Sequence, residues 1–136
     1  MSEKEIKDVV RSLNQALERK DVEKILSLYT EEATLVAPDG TFEGKEEIRR
    51  FWLWQAQSAL EATSTETEMI VQGNKLAAEH IIAVATISGM KWRVPITCVY
   101  EFTDGKIRLH RMSYDRLSIA KQAAKGWLAK RLLIPL

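Results

Sequence analysis

Residues 21–52, DVEKILSLYTEEATLVAPDGTFEGKEEIRRFW, read in order as a helix, a short strand, a turn, a return strand and a second helix. Asp21 is a capping residue, and Ile25, Leu26, Leu28 and Tyr29 follow at helical spacing until the polar pair Glu31 and Glu32, which is expected to end that helix. Ala33 to Ala37 is apolar and strand-length. Pro38-Asp39-Gly40 supplies turn chemistry, because Asp and Gly accept positive φ, and Thr41-Phe42-Glu43 returns as the partner strand. Gly44 then opens a helix whose Ile48, Phe51, Trp52 and Gln55 share one face.

Working outward, Ile6, Val9, Val10, Leu13, Ala16 and Leu17 form the apolar stripe of a helix from about Glu3 to Arg19, with Ser2 placed to cap it. Downstream of a helix ending near Leu60, runs rich in Ile, Val, Thr and Tyr predict strands at about 62–71, 75–88, 92–102 and 106–114. Gly73-Asn74, Ser88-Gly89 and Asp104-Gly105 mark the hairpins between them. Helices first and an antiparallel meander afterwards predict an α+β fold with helices on one side of a curved sheet. In the tail from Arg116, Ile119, Ala123, Trp127 and Leu128 line one helical face, and Lys121, Lys125, Lys130 and Arg131 lie elsewhere. Such a helix packs on its own domain or across a dimer interface; peripheral membrane contact is the alternative.

The chain has 136 residues, 46% of them hydrophobic, with a mean hydropathy of −0.21, and is long enough for a sizeable core. Twenty basic residues against nineteen acidic ones leave a charge of +1, which gives no electrostatic reason to expect nucleic acid as a partner. The charged start MSEKEIKDVV lacks the apolar core of a signal peptide, so a cytoplasmic location is the expectation. One cysteine, Cys98, and two histidines, His80 and His110, form no recognisable metal-ligand pattern, and neither a structural metal nor a cofactor is predicted.

Tyr29-x-x-x-Ala33 before the strand, Pro38-Asp39-Gly40 before Gly44-x-x-x-Ile48, the hairpin Tyr100-Glu101-Phe102 with Asp104-Gly105-Lys106-Ile107, and Tyr114-Asp115 beyond it carry a resemblance. The chain resembles the nuclear transport factor 2-like superfamily, in its SnoaL-like, ketosteroid isomerase-like and limonene epoxide hydrolase-like branch. That resemblance covers nearly the whole chain and implies one SnoaL-like domain over 1–136 with a helical tail at 117–136. It further implies a cone-shaped α+β fold whose curved antiparallel sheet holds the N-terminal helices on its concave side, and a homodimer through the sheet's outer face. The family includes isomerases, cyclases, epoxide hydrolases and non-catalytic modules, so the resemblance fixes no chemistry.

The isomerase set is missing: by the resemblance its base falls on Ala37, its phenol on Leu13 and its oxyanion-hole acid on Cys98. The epoxide hydrolase and cyclase pattern is half present. Asp115, ten residues after Gly105, stands where an acid or base is expected, and Arg93 stands about where the pattern has its Arg, but the second carboxylate falls on Pro95. His110 is a candidate second proton carrier, since an imidazole titrates near neutrality. Asp115, His110 and Arg93 are therefore the catalytic candidates. Asp115 also suits a helix N-cap, Arg93 a solvated strand charge and His110 a pocket wall. Strand parity places His110, Met112 and Tyr114 on one face, and Cys98, Tyr100 and Phe102 on one face of the preceding strand, with Tyr29 and Trp52 approaching from the helices. Tyr29, Trp52, Cys98, Tyr100, Met112 and Tyr114 are thus the ligand-contact candidates, and His80 falls outside. Cys98, in the apolar run Ile96 to Val99, reads as a core residue rather than a nucleophile. The expected partner is a small apolar or aromatic molecule, bound and in one version transformed by acid/base catalysis; the alternative is a non-catalytic binding or association module.

Overall fold

A computed structural model describes residues 1–59, 61–87 and 89–133, with side chains to residue 127. Helix α1 spans Glu3–Arg19, and Ser2 and Glu5 close its first turn as a reciprocal capping box. Lys20 ends it in the left-handed conformation, its N–H turned back to the carbonyls of Ala16 and Leu17. Ile6, Val10, Leu13 and Ala16 are buried, as the stripe requires. The short helix α2 covers Val22–Ser27 and is capped by the Asp21 carboxylate. Strand β1 (Tyr29–Ala37), strand β2 (Gly40–Glu43) and helix α3 (Gly44–Ser58) follow, and α3 buries Ile48, Phe51 and Trp52. Strands β3 (Glu61–Gln72), β4 (Leu76–Ile87), β5 (Met90–Thr103) and β6 (Lys106–Ser113) complete the sheet, and helix α4 spans Arg116–Leu133.

The six strands lie in the order β2-β1-β6-β5-β4-β3. All neighbours are antiparallel except β1 and β6, which run parallel, so the sheet is mixed. That parallel pair is why the second helix is shorter than its apolar spacing suggests. The N–H of Ile107 binds the Leu28 carbonyl, Tyr29 pairs with Ile107, and the chain from Tyr29 through Glu32 is drawn into β1. A register shift between Tyr29 and Thr34 absorbs the change.

Ladder register sets one inner face. Leu35 of β1 lies beside His110 of β6, His110 beside Tyr100 of β5, and Tyr100 beside Ala77 of β4; Cys98 lies between Met112 and Glu79. Against this face pack α1 and α3, giving a core of Ile6, Val10, Leu13, Tyr29, Leu35, Ile48, Tyr100 and Ile107, all essentially without exposure. Burying each such side chain stabilises the fold by roughly 1.5–3 kcal/mol.

Helix α4 guards an edge. Strand β6 pairs with β5 only from Thr97 onward, so earlier β5 residues have no strand on that side. There Gln122 takes a strand's place: its amide oxygen accepts from the Arg93 N–H and its amide nitrogen donates to the Arg93 carbonyl, both at 3.0 Å. Gly126 allows this approach, because a Cβ there would collide with Met90 Sδ. The expected apolar face of α4 includes Leu128, whose side chain lies outside the described residues, as do residues 134–136 and the expected helix end at Leu60.

Candidate functional site

The inner face carries two buried polar groups. Glu79 and His110 are each 1% exposed, and both face the helices from adjoining parts of the sheet. Glu79 Oε2 accepts from the Tyr100 hydroxyl at 2.8 Å, and its Oε1 accepts from the Asn14 side-chain amide on α1. His110 Nδ1 is 2.8 Å from the Tyr29 hydroxyl, while its Nε2 is buried without a partner. The Tyr100 ring lies against the imidazole, with centroids 4.4 Å apart, and Trp52 stacks from α3 at 6.5 Å. The Trp52 indole nitrogen sits near enough to the Tyr29 oxygen to ease its ionisation slightly, yet it completes no hydrogen bond.

Desolvation dominates the electrostatics. It pushes the Glu79 carboxyl above the usual range against the opposing bonds from Tyr100 and Asn14. It drives His110 down to about 3, so the imidazole is neutral at any physiological pH. The Tyr29 and Tyr100 phenols are raised, and the Cys98 thiol is pushed up to about 12. Cys98 is accordingly a protonated wall residue.

The nine candidates read from sequence divide into two groups. Tyr29, Trp52, Cys98, Tyr100 and His110 converge in this cluster, and Met112, half-buried, lies beside Cys98 in register. Asp115, Arg93 and Tyr114 lie apart from it. Asp115 is exposed, and its Oδ1 accepts from the N–H groups of Leu117 at 2.9 Å and Ser118 at 3.3 Å, capping α4. Arg93, also exposed, lies opposite Val84 on the outer face of the sheet. The Tyr114 hydroxyl turns to Asp39 Oδ2, 3.0 Å away in the β1–β2 hairpin. His80 is outside, as parity requires, against Thr67. Two cluster members, Glu79 and Asn14, are absent from the sequence-derived set. The alternation that puts His80 outside puts Glu79 inside, and Asn14 adjoins Leu13 within the α1 stripe.

Beyond the cluster the inner face continues through Ala83 and Ala85 of β4 and Trp92, Val94 and Ile96 of β5, all only partly buried. This apolar stretch adjoins the polar cluster. A separate open groove of about 390 Å³ lies between β5 and α4, lined by Met90, Lys91, Trp92, Gln122, Lys125 and Gly126. None of the nine candidates lines that groove.

A curved mixed sheet wrapped around helices, with its polar groups gathered on the concave side, defines an α+β cone of the nuclear transport factor 2-like type. The chain belongs to the SnoaL-like domain family, whose sequence profile matches residues 10–110. Among solved structures it is similar to an NTF2-like protein of unknown function from Burkholderia pseudomallei K96243, at 19% identity and a TM-score of 0.80, covering 90% of this chain and 98% of that one. It is also similar to an LEH-like epoxide hydrolase of M. tuberculosis, with 15% identity, a TM-score of 0.79 and coverage of 95% and 96%. A third is a ketosteroid isomerase-like protein from Catenulispora acidiphila DSM 44928 in complex with trimethylamine, at 17% identity, TM-score 0.77 and coverage of 85% and 92%. At such identities these likenesses establish the fold. Among curated proteins nothing matches the sequence. No helix among the described residues is long and apolar enough to cross a membrane.

Proposed function

We propose that this protein binds a small apolar or aromatic molecule on the inner face of its sheet, with the polar end of the ligand at His110. The observation that carries this reading is the unpartnered, fully buried Nε2 of His110, because a buried polar atom without a partner costs about 1–3 kcal/mol that a ligand would recover. Apolar Ile96, Val94, Ala83 and Ala85, partly buried, continue the inner face beyond Cys98, away from His110, and supply the surface for the rest of the molecule. One protein of similar fold is an LEH-like epoxide hydrolase, which supports a small molecule as the partner. Asp115, held by its capping bonds, is not the proton carrier in this proposal. Saturating ethylbenzene is expected to raise Tm by several degrees, since a ligand at 100 times its Kd adds about 2.7 kcal/mol. Ala83→Trp, which fills the half-buried face, is expected to abolish the shift. An unchanged Tm in the wild type would remove the reading.

A second reading, association, concerns the opposite face. Ile70 is 57% exposed there, and Ala78, Ile82, Val84, Val99 and Leu109 are only partly buried. We propose that this outer face pairs two copies of the chain, with the inner face left free for ligand. Sedimentation equilibrium is expected to give a dimer and Ile82→Glu a folded monomer; a monomeric wild type would refute the pairing.

A further inference from the structure

Helix α4 has two faces with different uses. Ser118, Ile119, Gln122, Ala123 and Gly126 are its half-buried residues, and Gln122 and Gly126 are the ones that dock it on β5. At 100° per residue these five share one side of the helix. Leu117, Ala120, Ala124 and Trp127 recur at i, i+3, i+7 and i+10 on the opposite side, and all four are exposed, Leu117 by 62% and Trp127 by 58%. The apolar face expected from sequence is thus divided: Ile119 and Ala123 pack inward, and Trp127 faces out. Exposed Lys121 and Lys125 border the outward stripe on one side and exposed Arg116 on the other. Neither lysine forms an ion pair among the described residues.

Charge is segregated in the same way. Helix α4 holds five of the chain's twenty basic residues (Arg116, Lys121, Lys125, Lys130 and Arg131) and none of its nineteen acidic ones, so the rest of the chain carries a net −4. We infer that the outward face of α4 is a docking surface for an anionic membrane, on which the helix lies flat. Trp127 and Leu117 enter the boundary between headgroups and acyl chains, and the flanking lysines extend their ammonium groups to lipid phosphates. The negative remainder of the molecule then faces away from the lipid, which fixes its orientation. A second copy of α4 would set like charges against like, and a nucleic acid or a free anion would engage the cations but leave the apolar stripe in water. The surface is independent of the inner face, so ligand and membrane can be bound together.

Co-sedimentation of the intact chain with vesicles tests this. At low salt the protein is expected to pellet with phosphatidylcholine vesicles that contain phosphatidylglycerol and to stay in solution with phosphatidylcholine alone. Added salt is expected to release it, since exposed charges are screened. Replacing Lys121 and Lys125 together by Ala is expected to weaken partitioning more than tenfold, at about fivefold for each cation near an anionic surface. Lys121→Glu with Lys125→Glu is expected to abolish it, with Tm unchanged because both positions are exposed. Trp127→Ala and Leu117→Gln are each expected to weaken it several-fold, and tryptophan emission is expected to shift to the blue on vesicles in the wild type but much less in Trp127→Phe. A wild type that stays in solution with the anionic vesicles would overturn the inference, as would binding that survives the double Lys→Glu change. Binding insensitive to both Trp127→Ala and Leu117→Gln, and matched by soluble poly-glutamate, would also overturn it and make an acidic protein the partner.

Discussion

Acidification is expected to destabilise this protein steeply between the ordinary histidine pKa of 6.5 and about 3, the value to which burial holds His110 in the fold. In that window the unfolded chain binds a proton on this imidazole and the folded chain does not, so stability present above pH 6.5 is lost as the pH falls. The slope is about 1.4 kcal/mol per pH unit, and the full window removes roughly 4–5 kcal/mol, against a total of 5–15 for a typical domain. The groups that touch the ring do not blur this. Tyr29 and Tyr100 are raised by the same burial and remain neutral throughout, and Trp52 does not titrate. Urea melts at half-unit steps should show the decline in wild type and a shallower one in His110→Phe. Parallel curves for the two proteins would mean that the imidazole reaches water or a carboxylate in the folded state.

Much of this architecture could be read locally. The α1 stripe, its Ser2 cap and the turns at Gly73, Asp104 and Gly105 are short-range signals, and the structure places elements there. Tyr29 shows where short-range signals stop. Its spacing from Ile25 is helical, but the hydrogen bonds that pull it into β1 come from β6, near Ile107, and no local pattern encodes a parallel partner so distant in sequence. Asp115 shows the reverse. A family position suggested a proton carrier, while its local grammar, an aspartate just before a helix, matches the cap that the structure displays. Glu79 was legible in principle, since alternation along LAAEHIIAVAT puts it with Ala77 and Ile81. What alternation could not supply was a reason for a carboxyl to be there. The reason is on other elements: Tyr100 across the ladder and Asn14 on α1.

Glu79 is therefore where a single substitution should have the largest effect. Glu79→Ala leaves the wholly buried Tyr100 hydroxyl and the half-buried Asn14 amide without their acceptor, and opens space in a packed interior. The expected loss is about 2–5 kcal/mol, from the cost of unsatisfied buried groups. Glu79→Gln separates hydrogen bonding from charge, because its carbonyl still accepts from Tyr100 and the Asn14 amide can turn to accept from its NH₂. The sign of the charge effect follows from the raised carboxyl pKa. The folded chain holds this proton more tightly than the unfolded one, so the contribution of Glu79 to wild-type stability is most favourable below the ordinary carboxylate value of 4.5 and declines as the pH rises through the raised folded value. Glu79→Gln lacks that decline. Its stability relative to wild type should increase from acid toward neutral pH, opposite in direction to the His110 effect. Paired denaturant melts from pH 4 to 8 measure this difference directly, and a difference independent of pH would show that Glu79 is solvated in the folded protein. Since Tyr100 ties Glu79 to the face of His110, the same series watched through the His110 ¹⁵N signals would reveal how far the charge on one side of the cluster is felt on the other.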